Sequence, residues 1–454
     1  MNILLVYPTA LGRDGEPVKF KKAFLPPLSL AILDSLTPDR HKVTVVNDIV
    51  EDIDFSGGYD LVAITAMTTQ AERAYQIADR FRAAGTRVII GGIHASALPE
   101  EAKEHADSVV VGEVENLWER ILDDFENDRF SEQYREDTFP NLEKLVVPRW
   151  DNMNLKIYPR PAGESLPMMP VFTTRGCVFN CKFCSVSKFF GRSYRFKPIP
   201  HVLKDIDATG AHSYFFVDDN IACNPDYSRE MFKAIAEKGI TWSSQISTTV
   251  MKTPDVIDLA GKSGCKSLLL GIESLDKDNL KGINKSFNRP EDYEEMFARF
   301  RKAGVQPVAA VIFGFDEDTP EKLRSTIHFL NKNHVKHVFI TILTPLPGTD
   351  LYMEMKNEDR LLGEQWSEYD LTHVVYQPKG LEPDELLAQY WKVFQEFYSL
   401  RNIMKRLLHT VVTSRPSIRA YVHSLFFQMY FRRKVKSCEH PLSSGIIKVG
   451  KRGG

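Results

Sequence analysis

The chain has 454 residues, of which 43% are hydrophobic and 26% are charged, and its formal net charge is −2 at pH 7. These proportions exclude disorder as the main state, and six cysteines are too few for a disulfide scaffold. There is neither a run of about eighteen apolar residues that would predict a transmembrane helix nor a secretory signal pattern, so we expect a cytoplasmic protein.

The first 125 residues alternate strand-like and helix-like segments. Five strands are predicted, at Ile3–Tyr7, Val43–Val46, Leu61–Thr65, Val88–Ile90 and Ser108–Val111. This alternation predicts a doubly wound parallel sheet, in which ligands bind outside the carboxyl ends of the strands. Gly91, Gly92 and Gly112 stand at such ends, where glycine lets a ligand approach the backbone, although ordinary turns use glycine too.

Residues 126–165 are polar, contain four prolines and show little periodicity, which predicts a linker. Residues 166–380 then alternate again, with six predicted strands and therefore a partial (β/α)6 barrel. These strands are Pro170–Thr174, Ser213–Val217, Thr241–Ser247, Ser267–Ile272, Pro307–Phe313 and His337–Leu343. Residues 381–454 form a predicted C-terminal helical region with a basic tail. The predicted fold class is therefore α/β, with a helical C-terminal region.

Three of the six cysteines stand close together, at Cys177, Cys181 and Cys184, directly after a predicted strand. Three thiolates in one loop can bind a cubane iron–sulfur cluster and leave one iron open. Structural zinc usually takes four protein ligands, and the loop offers no fourth cysteine or histidine. Zinc binding and three unconnected thiols remain as alternatives.

This spacing, with Phe183 before the last cysteine and Thr-Arg-Gly before the first, resembles the radical S-adenosylmethionine (SAM) enzymes. The N-terminal segments at 91–95 and 111–115, and the later segment 343–349, resemble the subgroup with an N-terminal cobalamin (B12)-binding domain. The resemblance implies a [4Fe-4S] cluster, SAM as cosubstrate and cobalamin. The resemblance also implies that the three cysteines are the cluster ligands and that SAM is cleaved to a 5′-deoxyadenosyl radical. In such enzymes the cofactors carry out the radical chemistry, and the protein binds and orients them.

The resemblance also implies SAM contacts at the ends of the barrel strands. Asp218 and Asp219 would face the methionine ammonium group, or else form a solvated turn. Glu273 would bind the ribose or be part of a structural ion pair. The full set of predicted SAM-binding residues is Phe183, Asp218, Asp219, Gln245, Ser247, Glu273, Phe313 and Leu343, of which the apolar members serve equally well as barrel core.

For cobalamin, the resemblance places the cofactor against the strand ends of the first domain. The predicted contacts are Thr9, Thr65, Met67, Gly91, Gly92, His94, Gly112 and Glu113. The Asp-x-His-x-x-Gly motif that supplies a lower cobalt ligand is absent from the sequence. We therefore expect His94 to contact the corrin or a loop rather than to ligate cobalt.

The tail differs from the body in charge. From Arg401 to the end there are twelve lysines and arginines but only one acid, Glu439, so this segment carries about +11 and the remainder about −13. Apolar and basic residues interleave up to Lys436, which is typical of an interfacial helix that meets anionic lipid at the inner membrane surface. Completion of the domain core is the alternative. The basic residues are not spread over a whole domain with exposed aromatics, which argues against nucleic acid as a partner.

The resulting hypothesis is a radical SAM enzyme that methylates an unactivated carbon with the help of cobalamin. Its substrate would be a small molecule or a lipid-like molecule, and its electron donor a protein such as flavodoxin or ferredoxin. A second hypothesis keeps the radical chemistry without methyl transfer, as in rearrangement, cyclisation, coupling or oxidation. A third is a non-catalytic iron–sulfur or zinc binding module.

Overall fold

The computed structural model describes residues 1–414, 418–441 and 445–448. Its strands, in chain order, are β1 Asn2–Tyr7, β2 Phe20–Ala23, β3 Lys42–Asn47, β4 Leu61–Thr65, β5 Arg87–Gly91, β6 Ser108–Val111, β7 Gln133–Arg135, β8 Met169–Val171, β9 Thr174–Arg175, β10 Arg195–Phe196, β11 Ser213–Phe216, β12 Thr241–Ile246, β13 Cys265–Glu273, β14 Gln306–Phe313, β15 His337–Ile342 and β16 Gly445–Lys448.

The α-helices, in chain order, are α1 Leu28–Leu36, α2 Ala71–Ala83, α3 Ile93–Ala97, α4 Pro99–His105, α5 Trp118–Glu126, α6 Val186–Phe189, α7 Ile199–Thr209, α8 Pro225–Ala236, α9 Asp255–Lys262, α10 Lys277–Gly282, α11 Tyr293–Lys302, α12 Pro320–Lys332, α13 Asp350–Asn357, α14 Pro383–Phe397, α15 Leu400–Ser414 and α16 Ile418–Lys436. Short 3₁₀ turns connect several of these elements.

The N-terminal domain is a parallel six-stranded sheet in the order β3-β1-β4-β5-β6-β7. Its strands are buried on both faces because α2 covers one side, while α1 and α5 cover the other. This is the doubly wound arrangement that the alternating pattern predicts. The sixth strand, β7, lies within the segment that we expected to be a linker.

The second sheet is also parallel, in the order β15-β14-β13-β12-β11-β8, and it forms the partial barrel. Helices such as α8, α11 and α12 pack their apolar faces against its strands. The predicted first strand is split, because β8 ends at Val171 and β9 pairs with β10 in a separate two-stranded ribbon. That ribbon leads directly into the cysteine loop.

Three helices follow the barrel. The apolar face of α14 is buried on the barrel through residues such as Tyr390 and Phe394. Helices α15 and α16 form a hairpin beside it, joined by the buried Arg406, whose Nε donates to Gln428 Oε1 at 3.0 Å. In the described part of the chain no helix is long and apolar enough to cross a membrane.

Candidate active site

The cysteine loop begins at Gly176, directly after β9. Its φ of +88° favours glycine, and a Cβ at this position would collide with the carbonyl oxygen of Ser193. Further along the loop, Lys182 donates its backbone N–H to Ile283 at 3.1 Å and accepts one from Leu351 at 2.9 Å. The loop is therefore tied to the barrel domain between Cys181 and Cys184.

The three loop thiols are partly buried. Burial raises the pKa of Cys177, Cys181 and Cys184 to about 11 each. Thiols with such a pKa stay protonated at neutral pH unless a positive charge stabilises the thiolate, as bound iron does. A donor set of three cysteines in a tied loop fits a [4Fe-4S] cluster with one open iron.

Asp218 has a structural position. It is fully buried, and its carboxylate accepts hydrogen bonds from the backbone N–H of Thr173 at 3.1 Å and from the hydroxyls of Thr173 and Thr174. Burial raises the pKa of Asp218, although these donors oppose the shift. Since its oxygens are engaged, Asp218 holds the chain just ahead of the cysteine loop.

Asp219, the next residue, is turned toward the site. Its Oδ2 accepts the backbone N–H of Gly176 at 3.2 Å, and its side chain lines the cavity between the two domains. Burial, and then the nearby charge of Asp218, raises the pKa of Asp219 to about 6. Of the two predicted aspartates, Asp219 is thus the one that a ligand can reach.

Glu273 ends β13 with a φ of +57° and forms a buried ion pair with Lys285. Burial lowers the pKa of Lys285, but the charge of Glu273 and its hydrogen bond outweigh that effect, so that this pKa is raised. Gly271 makes room for the pair, because a Cβ there would lie 2.7 Å from Lys285 Nζ. The ammonium group of Lys285 also lies 5.9 Å from the ring centroid of Phe183.

Sequence reasoning missed Lys285. The residue follows α10 in a polar segment, and its burial beside the cysteine loop depends on how that segment folds back. The structure does contain the ion pair that we considered as the alternative role of Glu273. However, its partner, Lys285, faces the cysteine loop. The pair is therefore part of the site.

The other predicted SAM contacts lie at neighbouring strand ends. Phe313 and Glu273 line a common cavity of about 150 Å³. Leu343 is buried, and its N–H bonds to the carbonyl of Phe313 at 2.8 Å. Ser247 begins a 3₁₀ turn with its Oγ 3.3 Å from Thr249 N, next to Gln245 at the end of β12. The roles of Gln245, Ser247 and Leu343 toward SAM stay predictions.

A larger cavity of about 250 Å³ lies between the two domains. Its walls include five of the predicted cobalamin contacts, namely Thr65, Gly91, Gly92, Gly112 and Glu113, together with Phe172, Arg175 and Asp219 from the barrel domain. At Gly112 the φ is +88° and an added Cβ would meet no atom within 4 Å, so the backbone is open to a ligand there. A mostly apolar slot at the strand ends fits a large, flat cofactor such as cobalamin.

Three predicted cobalamin contacts lie outside that lining. Thr9 is buried, with its hydroxyl bonded to Val18 O at 2.5 Å, and Met67 is half exposed. The ring of His94 is buried, with Nε2 3.3 Å from Glu101 Oε1 and its centroid 5.2 Å from that of Trp366. A role of these residues toward cobalamin stays a prediction without geometric support.

A buried ionic network joins the two domains beside the cavity. Arg175 pairs with Glu113 and Glu115, and Arg195 pairs with Glu113 as well. None of the four side chains is more than 17% exposed. Because Arg175 lies two residues before Cys177, the network fixes the cysteine loop relative to the N-terminal sheet.

Comparison with known proteins agrees with the division of the chain into an N-terminal domain and a barrel domain. The model of the radical SAM superfamily matches residues 171–330, that of the B12 binding domain matches residues 25–122, and that of a domain of unknown function (DUF4070) matches residues 349–439.

Several characterised proteins are similar over most of their length. Bacteriochlorophyllide d C-12(1)-methyltransferase of Chlorobaculum tepidum is 34% identical over 84% of this chain and 84% of its own. Bacteriochlorophyllide d C-8(2)-methyltransferase of the same organism is 34% identical over 92% and 95%. Hopanoid C-2 methylase of Rhodopseudomonas palustris is 24% identical over 85% and 73%.

Among solved structures, the radical SAM methyltransferase TsrM from Kitasatospora setae, with cobalamin and a [4Fe-4S] cluster bound, shares the fold. The TM-score is 0.68 at 16% identity, covering 96% of this chain and 100% of that chain. The cysteine loop, the cavity at the strand ends and the 34% identical relatives lead to one assignment: the chain belongs to the radical SAM enzymes that carry an N-terminal B12-binding domain.

Proposed function

We propose that this protein methylates an unactivated carbon of an apolar, lipid-like substrate. The observation that carries the proposal is the cavity between the domains, because glycines of the B12-binding sheet form one wall while Arg175 and Asp219, next to the cysteine loop, form another. A group bound in this cavity would be close to both the B12-binding sheet and the cysteine loop. The 34% identical relatives, which are named as methyltransferases, support this reading.

When bound, the cluster supplies the electron that cleaves SAM, and cobalamin supplies a carrier for the methyl group. The residues of the chain bind and orient. Cys177, Cys181 and Cys184 would hold the cluster. The ammonium of Lys285 offers a positive charge for the carboxylate of SAM, and the carboxylate of Asp219 offers a negative charge for its amino group.

Aromatic side chains beside the cysteines would help to shield the site from water. The rings of Phe179 and Phe287 stack at 4.0 Å between centroids across the cysteine loop, and Phe183 lies beside the ion pair of Lys285. A reactive radical needs such shielding from side reactions. Relatives named for bacteriochlorophyllide and hopanoid methylation support a substrate with a large apolar part.

The test compares anaerobically reconstituted wild type with Cys184→Ala and a matched control, Cys438→Ala, at an exposed cysteine outside the loop. Iron, 5′-deoxyadenosine and S-adenosylhomocysteine are measured after reduction with flavodoxin. We expect about four irons per chain in wild type and control, and loss of iron and deoxyadenosine in Cys184→Ala. S-Adenosylhomocysteine should form only when hydroxocobalamin is added. Deoxyadenosine without S-adenosylhomocysteine would favour radical chemistry without methyl transfer.

A further inference from the structure

The hairpin of α15 and α16 carries an exposed apolar face. On α15 the exposed apolar side chains recur about every turn, and α16 repeats the pattern. They are Leu400, Met404, Leu408, Val411 and Val412 on the first helix, and Ile418, Val422, Phe426, Phe427 and Met429 on the second. Side chains spaced by three or four residues share one face of a helix, so each helix presents a continuous apolar stripe.

The stripes belong to a fixed element. Arg406 on α15 is buried and donates to Asn331 Oδ1 at 2.6 Å and to the carbonyl of Phe397 at 3.0 Å, as well as to Gln428 on α16. Leu407 and Phe431 bury the opposite sides of the two helices. The inner faces of α15 and α16 therefore complete the hydrophobic core, and the outer apolar stripes are not part of it.

The hairpin carries positive charge without any carboxylate. Arg401, Lys405, Arg433 and Lys436 are exposed near the base, where α15 begins and α16 ends, and within the described ranges none of them forms an ion pair. No Asp or Glu occurs from 401 to 436. The most exposed apolar residues, Val412 at 78% and Ile418 at 84%, lie at the other end, next to the connection between the helices.

The exposed stripes suit a lipid interface. Interfacial helices lie flat and bury their apolar side about 5–10 Å into the headgroup and acyl boundary. Cations on such a helix meet the phosphates of anionic lipids.

We propose that the α15–α16 hairpin docks on an anionic membrane surface, with its exposed apolar stripes in the bilayer interface and its exposed cations toward the headgroups. A second copy of the chain fits this face less well, because it would bring two basic surfaces together without any carboxylate between them. The inference does not rest on the proposed methyl transfer, since lipid binding is measured without turnover.

The experiment is cosedimentation of the reconstituted enzyme with phosphatidylcholine vesicles that contain or lack phosphatidylglycerol. The tip variant is Val412→Glu/Ile418→Glu, and its matched control is Leu362→Glu, at a residue of 54% exposure away from the hairpin. We expect wild type and control to bind anionic vesicles, and the tip variant to bind at least tenfold more weakly. The charge variant Arg401→Gln/Lys405→Gln should lose about 25-fold, since each cation near the surface contributes about fivefold.

Circular dichroism and size-exclusion light scattering accompany the sedimentation, to show that each variant is folded and what its oligomeric state is. Equal binding of tip variant and wild type would overturn the proposal. So would the absence of wild-type binding to anionic vesicles. A wild-type dimer that the tip variant dissociates would also overturn it, because the face would then be covered by a second copy.

Discussion

Substitution of Arg175 by alanine tests the buried ionic network that joins the two domains. The change removes the partner of Glu115 and leaves Glu113 with Arg195 alone. Breaking a buried ion pair by removing one partner costs about 3–5 kcal/mol, because a charge stays buried without compensation. With roughly 2–4 °C per kcal/mol for domains of this size, we expect the melting temperature to fall by roughly 6–20 °C.

The assay is thermal unfolding of the anaerobic enzyme, with Arg87→Ala as the matched control. Arg87 lies in the same N-terminal domain and pairs with Asp107 and Asp128, but its side chain is about half exposed. Removal of such a surface pair costs about 0–1 kcal/mol. The variant Arg175→Ala/Glu115→Gln should recover part of the loss, because it removes the uncompensated charge.

A melting temperature of Arg175→Ala within 2 °C of that of Arg87→Ala would refute the reasoning. It would mean that the carboxylates near the cavity find other partners or water when the arginine is absent. The same variant should also retain less cobalamin on gel filtration, because the network places the barrel wall of the cavity against the sheet. Unchanged cobalamin retention together with a large loss of stability would confine the network to a structural role.

Three further predictions follow from single residues. Lys285→Met should weaken SAM binding roughly 10- to 150-fold in equilibrium dialysis, since hydrogen bonds to charged groups contribute about 1.5–3 kcal/mol, and Lys285→Arg should restore part of it. Gly92→Ala should lower the melting temperature more than Gly112→Ala, because both need a positive φ but only the first places a Cβ 2.6 Å from the carbonyl oxygen of Ala66. Burial lowers the pKa of His440 from 6.5 to about 4. The free energy of unfolding should therefore fall as the pH drops from 6.5 toward 4, because the unfolded chain takes up a proton that the folded chain does not. In acid unfolding curves, His440→Gln should reduce this fall by roughly 3 kcal/mol.

Most of the fold could be predicted from the sequence, because periodicity and strand-end residues are local signals. The strands at Leu61–Thr65 and Ser108–Val111 agree with the prediction residue for residue. The short strand β7 could not be predicted, because three residues in a polar segment give too little periodicity and their pairing with β6 is not encoded nearby.

The candidate site was predictable where chemistry is local in sequence. Three cysteines in eight residues indicate a cluster without any structure. By contrast, the difference between Asp218 and Asp219 depends on which carboxylate meets Thr173 and which meets the cavity, and two adjacent aspartates look alike in a sequence. Lys285 was missed for the same reason, since its partner Glu273 is twelve residues away and both are buried only by the fold.

We propose that the two domains together transfer a methyl group to an unactivated carbon. The most direct measurement is mass spectrometry of an apolar extract incubated with the reconstituted enzyme, hydroxocobalamin, a reducing system and SAM labelled with deuterium in its methyl group. We expect a product that carries one trideuteromethyl group and forms only when cobalamin is present. Formation of 5′-deoxyadenosine in step with a product that carries no label would contradict it.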